Sequence, residues 1–233
     1  MFFFSMKVLV TGGAGFIGSH LVEALATKGH SVVVVDNLST GFREQVPSSV
    51  RFFEGNITDA SFLSSVFEKE KPEAVFHLAA QINLRKSVEN PSFDASVNIL
   101  GSLHLLQLSV TYKIKKFIFS STGGALYGDA EVLPTPESYL ARPISPYGCA
   151  KLAIEQYIHY YSVVHGLSST ILRYANVYGP RQNPHGEAGV VAIFLDAMCT
   201  GKQPFINGDG LQTRDYVFVS DVVSANVLAL EHQ

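Results

Sequence analysis

The sequence predicts an α/β fold: a doubly wound parallel sheet covered by helices on both faces, with a smaller C-terminal lobe. Three observations predict it. From Lys7 onward, short β-branched runs alternate with longer helical patterns. The short runs lack polar interruptions, as strands buried on both faces do. After Tyr174 the texture changes, with Pro180, Pro184, Gly186, Gly189, Gly201, Pro204, Gly208 and Gly210 punctuating a loop-rich segment.

Val8-Leu9-Val10 reads as the first strand and Ser31 to Val35 as the second. Arg51 to Phe53, Ala74 to His77, Lys116 to Phe119 and Thr170 to Leu172 follow. Helical patterns lie near 16–28, 60–70, 94–111 and 147–165, with another from Ser220 to Leu230. The expected division is a sheet-and-helix unit over 6–174 and part of a smaller lobe over 175–233, some of which returns to the first unit.

With 233 residues, 47% hydrophobic and 16% charged, the chain buries one sizeable core and a small appended lobe. A formal net charge of −3 without any Lys/Arg block argues against nucleic acid or an anionic membrane as partner. Met1 to Met6 is apolar but has no basic flank and is too short for a signal-peptide core, so a disordered or strand-extending start is expected, with Met6 a possible second start. No run reaches the ~18 apolar residues of a membrane span. Cys149 and Cys199 stand outside any Cys-x-x-Cys pair and are expected as ordinary half-buried residues in a reducing cytosol. The eight histidines show no metal-ligand spacing, and no metal is expected.

The first strand runs into Thr11-Gly12-Gly13-Ala14-Gly15-Phe16-Ile17-Gly18 and then a helix. Gly12, Gly15 and Gly18 allow a sharp turn, close approach of a pyrophosphate and tight helix packing, while the helix start at Phe16 and Ile17 favours an anion. Asp36 ends the second strand, where a carboxylate accepts from ribose hydroxyls and repels a 2′-phosphate. This Rossmann-type pattern favours NAD over NADP. Asp59, before the second helix, reads equally as an adenine contact and as an N-cap.

Ser145-Pro146-Tyr147-Gly148-Cys149-Ala150-Lys151 supplies an N-cap, a Pro at the first helical position, and Tyr147 and Lys151 four apart on one face. An ammonium and a positive nicotinamide ring would stabilise a Tyr147 phenolate, making it a competent base. Ser120, Ser121 and Thr122 end a strand at the carboxyl edge of the sheet, the edge at which such sheets bind ligands. Thr122 is expected to bond the reacting hydroxyl; the simpler alternative is that these hydroxyls satisfy local backbone.

The glycine turn, Asp36, His77-Leu78-Ala79-Ala80-Gln81, the Ser/Thr strand end and Tyr147 with Lys151 resemble the extended short-chain dehydrogenase/reductase family. Within it the chain is similar to bacterial and archaeal UDP-glucose 4-epimerases through Ser121 to Ala125, Arg173 to Arg181 and Gly208 to Tyr216. The resemblance implies a catalytic trio of Thr122, Tyr147 and Lys151. It implies NAD held by Gly12, Gly15, Gly18 and Asp36, helped by Asn37, Ile57, Asp59, the Ala79 and Ala80 backbone and Gln81, with Lys151 also on the nicotinamide ribose. Asn176 and Arg214 match positions that contact the sugar-nucleotide diphosphate; alternatively Asn176 is a turn residue and Arg214 pairs with Asp215.

The implied reaction is transient oxidation at C4 of a UDP-hexose, with Tyr147 taking the 4-hydroxyl proton and NAD staying bound through the cycle. UDP-N-acetylhexosamine or UDP-uronate substrates remain alternatives. A 4,6-dehydratase needs an acid after the Thr, where this chain has Gly123 and Gly124. The chain stops at Gln233, where relatives continue the substrate lobe, so a catalytically weak NAD-binding fragment stays open as well. The family pattern further implies a homodimer through the helices near 94–111 and 147–165.

Overall fold

The structure is a computed structural model that describes residues 5–185 and 189–232. The readings made for Met1 to Phe4, Gly186 and Gln233 lie outside the described residues.

Six strands form one wholly parallel sheet in the order β3-β2-β1-β4-β5-β6: β1 (Lys7–Thr11), β2 (Ser31–Asp36), β3 (Arg51–Glu54), β4 (Ala74–His77), β5 (Lys116–Thr122) and β6 (Ser169–Tyr174). The order reverses beside β1, between β1 and β4, which is where open α/β sheets bind ligands at the carboxyl ends of their strands. Register follows from the buried pattern: Val10 lies beside Val34 on one side and Phe76 on the other. A strand shifted by one residue would swap the faces of all these side chains.

Alternate residues feed two cores. Leu9, Val35, Val75, Phe117 and Phe119 pack against α2 (Ala60–Glu70), α5 (Gly101–Thr111) and α6 (Pro146–His165). Val8, Val10, Val34, Phe76 and Ile118 pack on the opposite face against α1 (Phe16–Thr27) and α8 (Val219–Glu231). Burying a side chain such as Phe76 or Phe117 contributes about 1.5–3 kcal/mol.

The expected helix over 94–111 is interrupted. After α3 (Leu84–Glu89), α4 spans Pro91–Ala95, a π turn occupies Ser96–Leu100, and α5 resumes at Gly101. Asn98 sits in this π turn with its amide bonded to the backbone of Gln81 from both ends, Oδ1 accepting from the Gln81 N–H at 2.9 Å and Nδ2 donating to its carbonyl at 2.9 Å. Such π turns in helices often mark functional positions.

The segment after Tyr174 is more ordered than its composition suggests. It holds β7 (Asn176–Tyr178), α7 (Val190–Cys199), β8 (Tyr216–Phe218) and α8, with β7 and β8 paired in parallel. Val219, Val222, Val223 and Val227 of α8 are buried, and Val219, Val223 and Val227 join the α1 core, so this helix covers the six-stranded sheet. Cys149 and Cys199 are exposed, not half-buried: Cys149 lies on the outward side of α6 and Cys199 at the end of α7.

Candidate active site

Gly12 has φ +73°, and a Cβ there would lie 2.7 Å from the Ala79 nitrogen, so any side chain would collide with the β4 loop. A Cβ at Gly18 would run into the Gly12 carbonyl, which lets the first turn of α1 lie directly on the glycine turn. Gly15 caps α1 without a side-chain hydrogen bond, leaving the N–H groups at Phe16 and Ile17 to an external acceptor. This cradle fits a dinucleotide pyrophosphate. Asp36 is 8% exposed; its Oδ2 accepts from the Ala14 N–H at 2.9 Å and its Oδ1 from the Leu38 N–H at 2.8 Å. The carboxylate therefore braces the glycine turn and retains lone pairs for ribose hydroxyls.

Other predicted cofactor residues divide. The Asn37 side chain accepts from the Ser39 N–H at 3.1 Å, and Ile57 is buried in the α2–α5 core. Asp59 is the N-cap of α2, with Oδ1 accepting from the N–H groups of Ser61 and Phe62 and from the Ser61 hydroxyl. Those bonds, the Ser61 hydroxyl first, hold its carboxyl below the usual range. Ala79 donates its N–H to Thr11 Oγ1 at 3.3 Å. Ala80 follows Ala79 in the loop after β4. The Gln81 side chain turns to Asn83 and Asp94, its Nε2 donating to the Asn83 carbonyl at 2.9 Å and to Asp94 Oδ1 at 3.0 Å.

A buried relay missed by sequence reasoning joins the glycine turn to the π turn. Thr11 Oγ1 lies 2.8 Å from His77 Nδ1, and His77 Nε2 lies 2.8 Å from Ser102 Oγ, which itself donates to the Asn98 carbonyl at 2.6 Å. Because the Ser102 proton is committed to Asn98, His77 carries its hydrogen on Nε2 and accepts from Thr11 on Nδ1. The visible signal was a His at the end of an otherwise apolar strand. Burial, with the Lys151 charge second, holds the imidazole down to about 3. The folded value lies below the unfolded one of about 6.5, so the stabilisation from neutral His77 is complete above that pH and is lost as pH falls toward 3. Between about pH 7.5 and about pH 5 this group alone is expected to cost about 2 kcal/mol of unfolding free energy. Urea melts of wild type and His77→Gln across that range check it: parallel pH slopes in the two proteins would refute the assignment.

At the carboxyl end of β5, helix α6 starts as predicted. Ser145 Oγ accepts from the Gly148 N–H at 3.1 Å, and Pro146 takes the first helical position. A Cβ at Gly148 would strike the Ala125 carbonyl, so the first turn of α6 rests on the loop after Thr122. Thr122 Oγ1 accepts from the Ala125 N–H at 3.2 Å, which leaves its own proton to donate. The contact at Gly148 and Ala125 thus brings the Tyr147 turn and the Thr122 turn together.

Lys151 is 4% exposed, donates from Nζ to the Ser120 carbonyl at 2.8 Å, and lies 4.7 Å from the Phe119 ring centre and 5.7 Å from that of Tyr147. Burial lowers Lys151 to about 8, with Asp94 and Glu155 pulling the other way. Tyr147 is driven up to about 12 by burial and then by Asp94. Burial and the Asp94 carboxylate both disfavour the phenolate; the phenolate expected from the sequence rests on the Lys151 ammonium and the positive nicotinamide ring together.

A second buried cluster supports the Thr122 loop. Glu155 accepts from Arg173 Nε at 3.0 Å and Nη2 at 2.6 Å and from the Ser121 hydroxyl at 2.5 Å, while Arg173 Nη1 donates to Tyr127 Oη at 2.6 Å. Tyr174 joins the Ser120 hydroxyl, 2.9 Å away, to Asn226 Nδ2 of α8, which donates to it at 2.7 Å. Asn176 donates through its side chain to the Asp215 carbonyl at 3.1 Å, and Arg214 donates to the Thr213 carbonyl at 2.7 Å, not to the Asp215 carboxylate. The structure thereby brings Asn176 beside the 213–216 segment. A cavity of about 700 Å³ opens there, lined by Glu137, Glu155, Arg173, Asp215 and Asp221 among others; Thr122, Tyr147 and Lys151 do not line it. Its carboxylates make it a poor diphosphate site, and neither Asn176 nor Arg214 lines it. Among the described residues, no His, Cys, Asp and Glu group has metal-binding geometry.

Sheet order, glycine turn and the Tyr147 and Lys151 helix at one sheet edge define a nicotinamide-dinucleotide enzyme of the α/β class. The chain belongs to the NAD dependent epimerase/dehydratase family, whose model matches residues 8–233. It is similar to the UDP-glucose 4-epimerase of Thermotoga maritima solved with UDP-glucose, at 55% identity and TM-score 0.95 over 97% of this chain and 74% of that one. The Thermus thermophilus UDP-glucose 4-epimerase in complex with NAD matches at 48% identity and TM-score 0.93, over 98% and 75% of the two chains. A UDP-N-acetylglucosamine 4-epimerase from Methanobrevibacter ruminantium, solved with UDP-N-acetylmuramic acid, matches at 37% and 0.93, over 99% and 74%.

Proposed function

We propose that this chain interconverts UDP-glucose and UDP-galactose as an NAD-dependent 4-epimerase. The observation that carries the reading is Lys151 anchored under Tyr147 at the edge of the dinucleotide cleft, in a chain 55% identical to an epimerase solved with UDP-glucose. NAD held in this cleft would supply a reversible two-electron acceptor for sugar C4. In this reading Tyr147 Oη takes the 4-hydroxyl proton and gives it back, Thr122 Oγ1 orients that hydroxyl, and Lys151 balances charge beneath them.

The turn at Gly12, Gly15 and Gly18 with the Phe16 and Ile17 N–H groups holds the pyrophosphate, and Asp36 receives the adenosine ribose. Asn37, Ile57, Asp59, Ala79, Ala80 and Gln81 complete the cofactor walls, Asp59 and Gln81 through the loops their side chains fix. Asn176 and Arg214 meet the substrate diphosphate, for which a guanidinium fork is suited. Gly123 and Gly124 favour epimerase over dehydratase: a Cβ at Gly124 would meet nothing within 4 Å, so there is room for an acid and the sequence supplies none. The similarity to a UDP-N-acetylglucosamine 4-epimerase supports UDP-N-acetylhexosamine as the second substrate reading.

A homodimer is part of the proposal. Leu100 in the 94–111 segment and Tyr157, Tyr160, Val163 and Val164 of α6 are exposed apolar side chains, which suits a contact through these two helices. Two exposed free cysteines suit the reducing cytoplasm, and no described helix is long and apolar enough to cross a membrane.

The test is incubation of the purified chain with UDP-galactose and no added cofactor, following UDP-glucose formation and nicotinamide release on denaturation. Turnover with one NAD per chain is expected. Bound NAD with turnover of only the N-acetylated substrate would replace the first reading with the second, and a chain that turns over neither would overturn both.

A further inference from the structure

Asp94 on α4 is 1% exposed. Its Oδ1 accepts from Gln81 Nε2 and Asn98 Nδ2, each at 3.0 Å, whereas its Oδ2 is buried with no hydrogen-bond partner. A buried carboxylate with one orphaned oxygen is costly unless a nearby charge compensates it. Helix α4 packs on α6, and the charge from α6 that acts on Asp94 is Lys151; Asp94 acts in turn on Tyr147. From the other elements packed on α4, the π turn contributes neutral Asn98, the β4 loop contributes neutral Gln81, and the ionisable Arg85, Lys86 and Glu89 of α3 are exposed. Asp94 is the carboxylate whose charge bears on Tyr147.

We propose that Asp94 is a positioning residue that sets the charge balance of the Tyr147 and Lys151 pair, its negative charge opposing loss of the proton from Tyr147 and favouring the ammonium of Lys151. The inference rests on the reading of Tyr147 as the acid and base of the reaction. The same residue ties the 79–83 loop to the π turn, so one side chain serves both the wall of the cofactor cleft and the acid–base group. A negative charge near a phenol opposes its ionisation and favours a neighbouring ammonium. The directions of Tyr147, driven up, and of Lys151, which Asp94 pulls up against burial, agree with that placement. Without Asp94 the phenol would lose its proton at a lower pH, and a Tyr147 that must return its proton to the sugar would more readily give it up elsewhere.

The test is a tyrosinate absorbance titration of NAD-bound protein, each protein measured against its own Tyr147→Phe counterpart so that only Tyr147 contributes. In Asp94→Asn the Tyr147 midpoint is expected to fall by about one pH unit, and in Asp94→Glu to return toward wild type. A merely structural role would leave the midpoint in place, and an unchanged or raised midpoint in Asp94→Asn overturns the proposal. Should Asp94→Asn fail to fold, Asp94→Ser carries the same expectation, and misfolding of both overturns the charge role in favour of a packing one. The readout needs no turnover: an inactive wild type with a shifted midpoint in the variant would sink the epimerase reading while upholding the role of Asp94.

Discussion

Tyr147→Phe is expected to lower turnover of UDP-galactose by about 10³-fold, within the range that general acid–base groups contribute, while NAD remains bound. The substitution removes one hydroxyl and keeps the ring that lies over Lys151, so packing on α6 is preserved. The retained cofactor is the informative half of the result. The glycine turn at Gly12 to Gly18 and the Asp36 brace on Ala14 do not depend on the Tyr147 hydroxyl, to which no described residue is hydrogen-bonded. Measurement of kcat together with nicotinamide content separates the two: an active Tyr147→Phe ends the proposed chemistry, and loss of NAD would mean the phenol has a binding role instead.

Arg173→Ala is expected to destabilise the protein by about 3–5 kcal/mol, the usual cost of leaving a buried ion-pair partner uncompensated. Glu155 is 4% exposed and would keep only the Ser121 hydroxyl as donor. The loss also unties Tyr127, which Arg173 anchors, and with it the loop carrying Thr122. Chemical denaturation is the measurement. Adding Glu155→Gln should recover a large part of the loss, because a neutral amide in the same place costs less to bury unpaired. A single-variant loss under about 1 kcal/mol would mean water compensates Glu155 in place of the guanidinium. If the double variant regains stability but not turnover, the pair positions the Thr122 loop as well as supporting the fold.

The sequence alone carried the order and type of the strands that build the sheet, because buried parallel strands need uninterrupted apolar runs and the glycine turn requires conformations that other residues resist. The start of α6 was equally legible, since Ser145 and Pro146 act locally on the helix they open. The same residues placed Tyr147 and Lys151 on one face. Asp59 as an N-cap was legible too, because a cap acts locally. Asp36 was legible in type but not in full use, since its carboxylate also holds the Ala14 and Leu38 N–H groups, which only the packed turn reveals.

Tertiary structure decided what no local pattern encodes. The π turn at Ser96–Leu100 carries Asn98 to the backbone of Gln81, seventeen residues away in sequence. Asp94, His77 and Glu155 stand in segments that read as ordinary helix or strand, and their roles arise from partners brought together from β1, β6, α5 and α6. The ionisation of Tyr147 shows the difference most clearly. The sequence suggested a phenolate stabilised by Lys151 and a nicotinamide ring together; the burial and the Asp94 charge that push the phenol the other way come only with the fold. Sequence spacing determines which groups can meet; burial and long-range charge, set only when the chain is folded, determine what protonation state they hold.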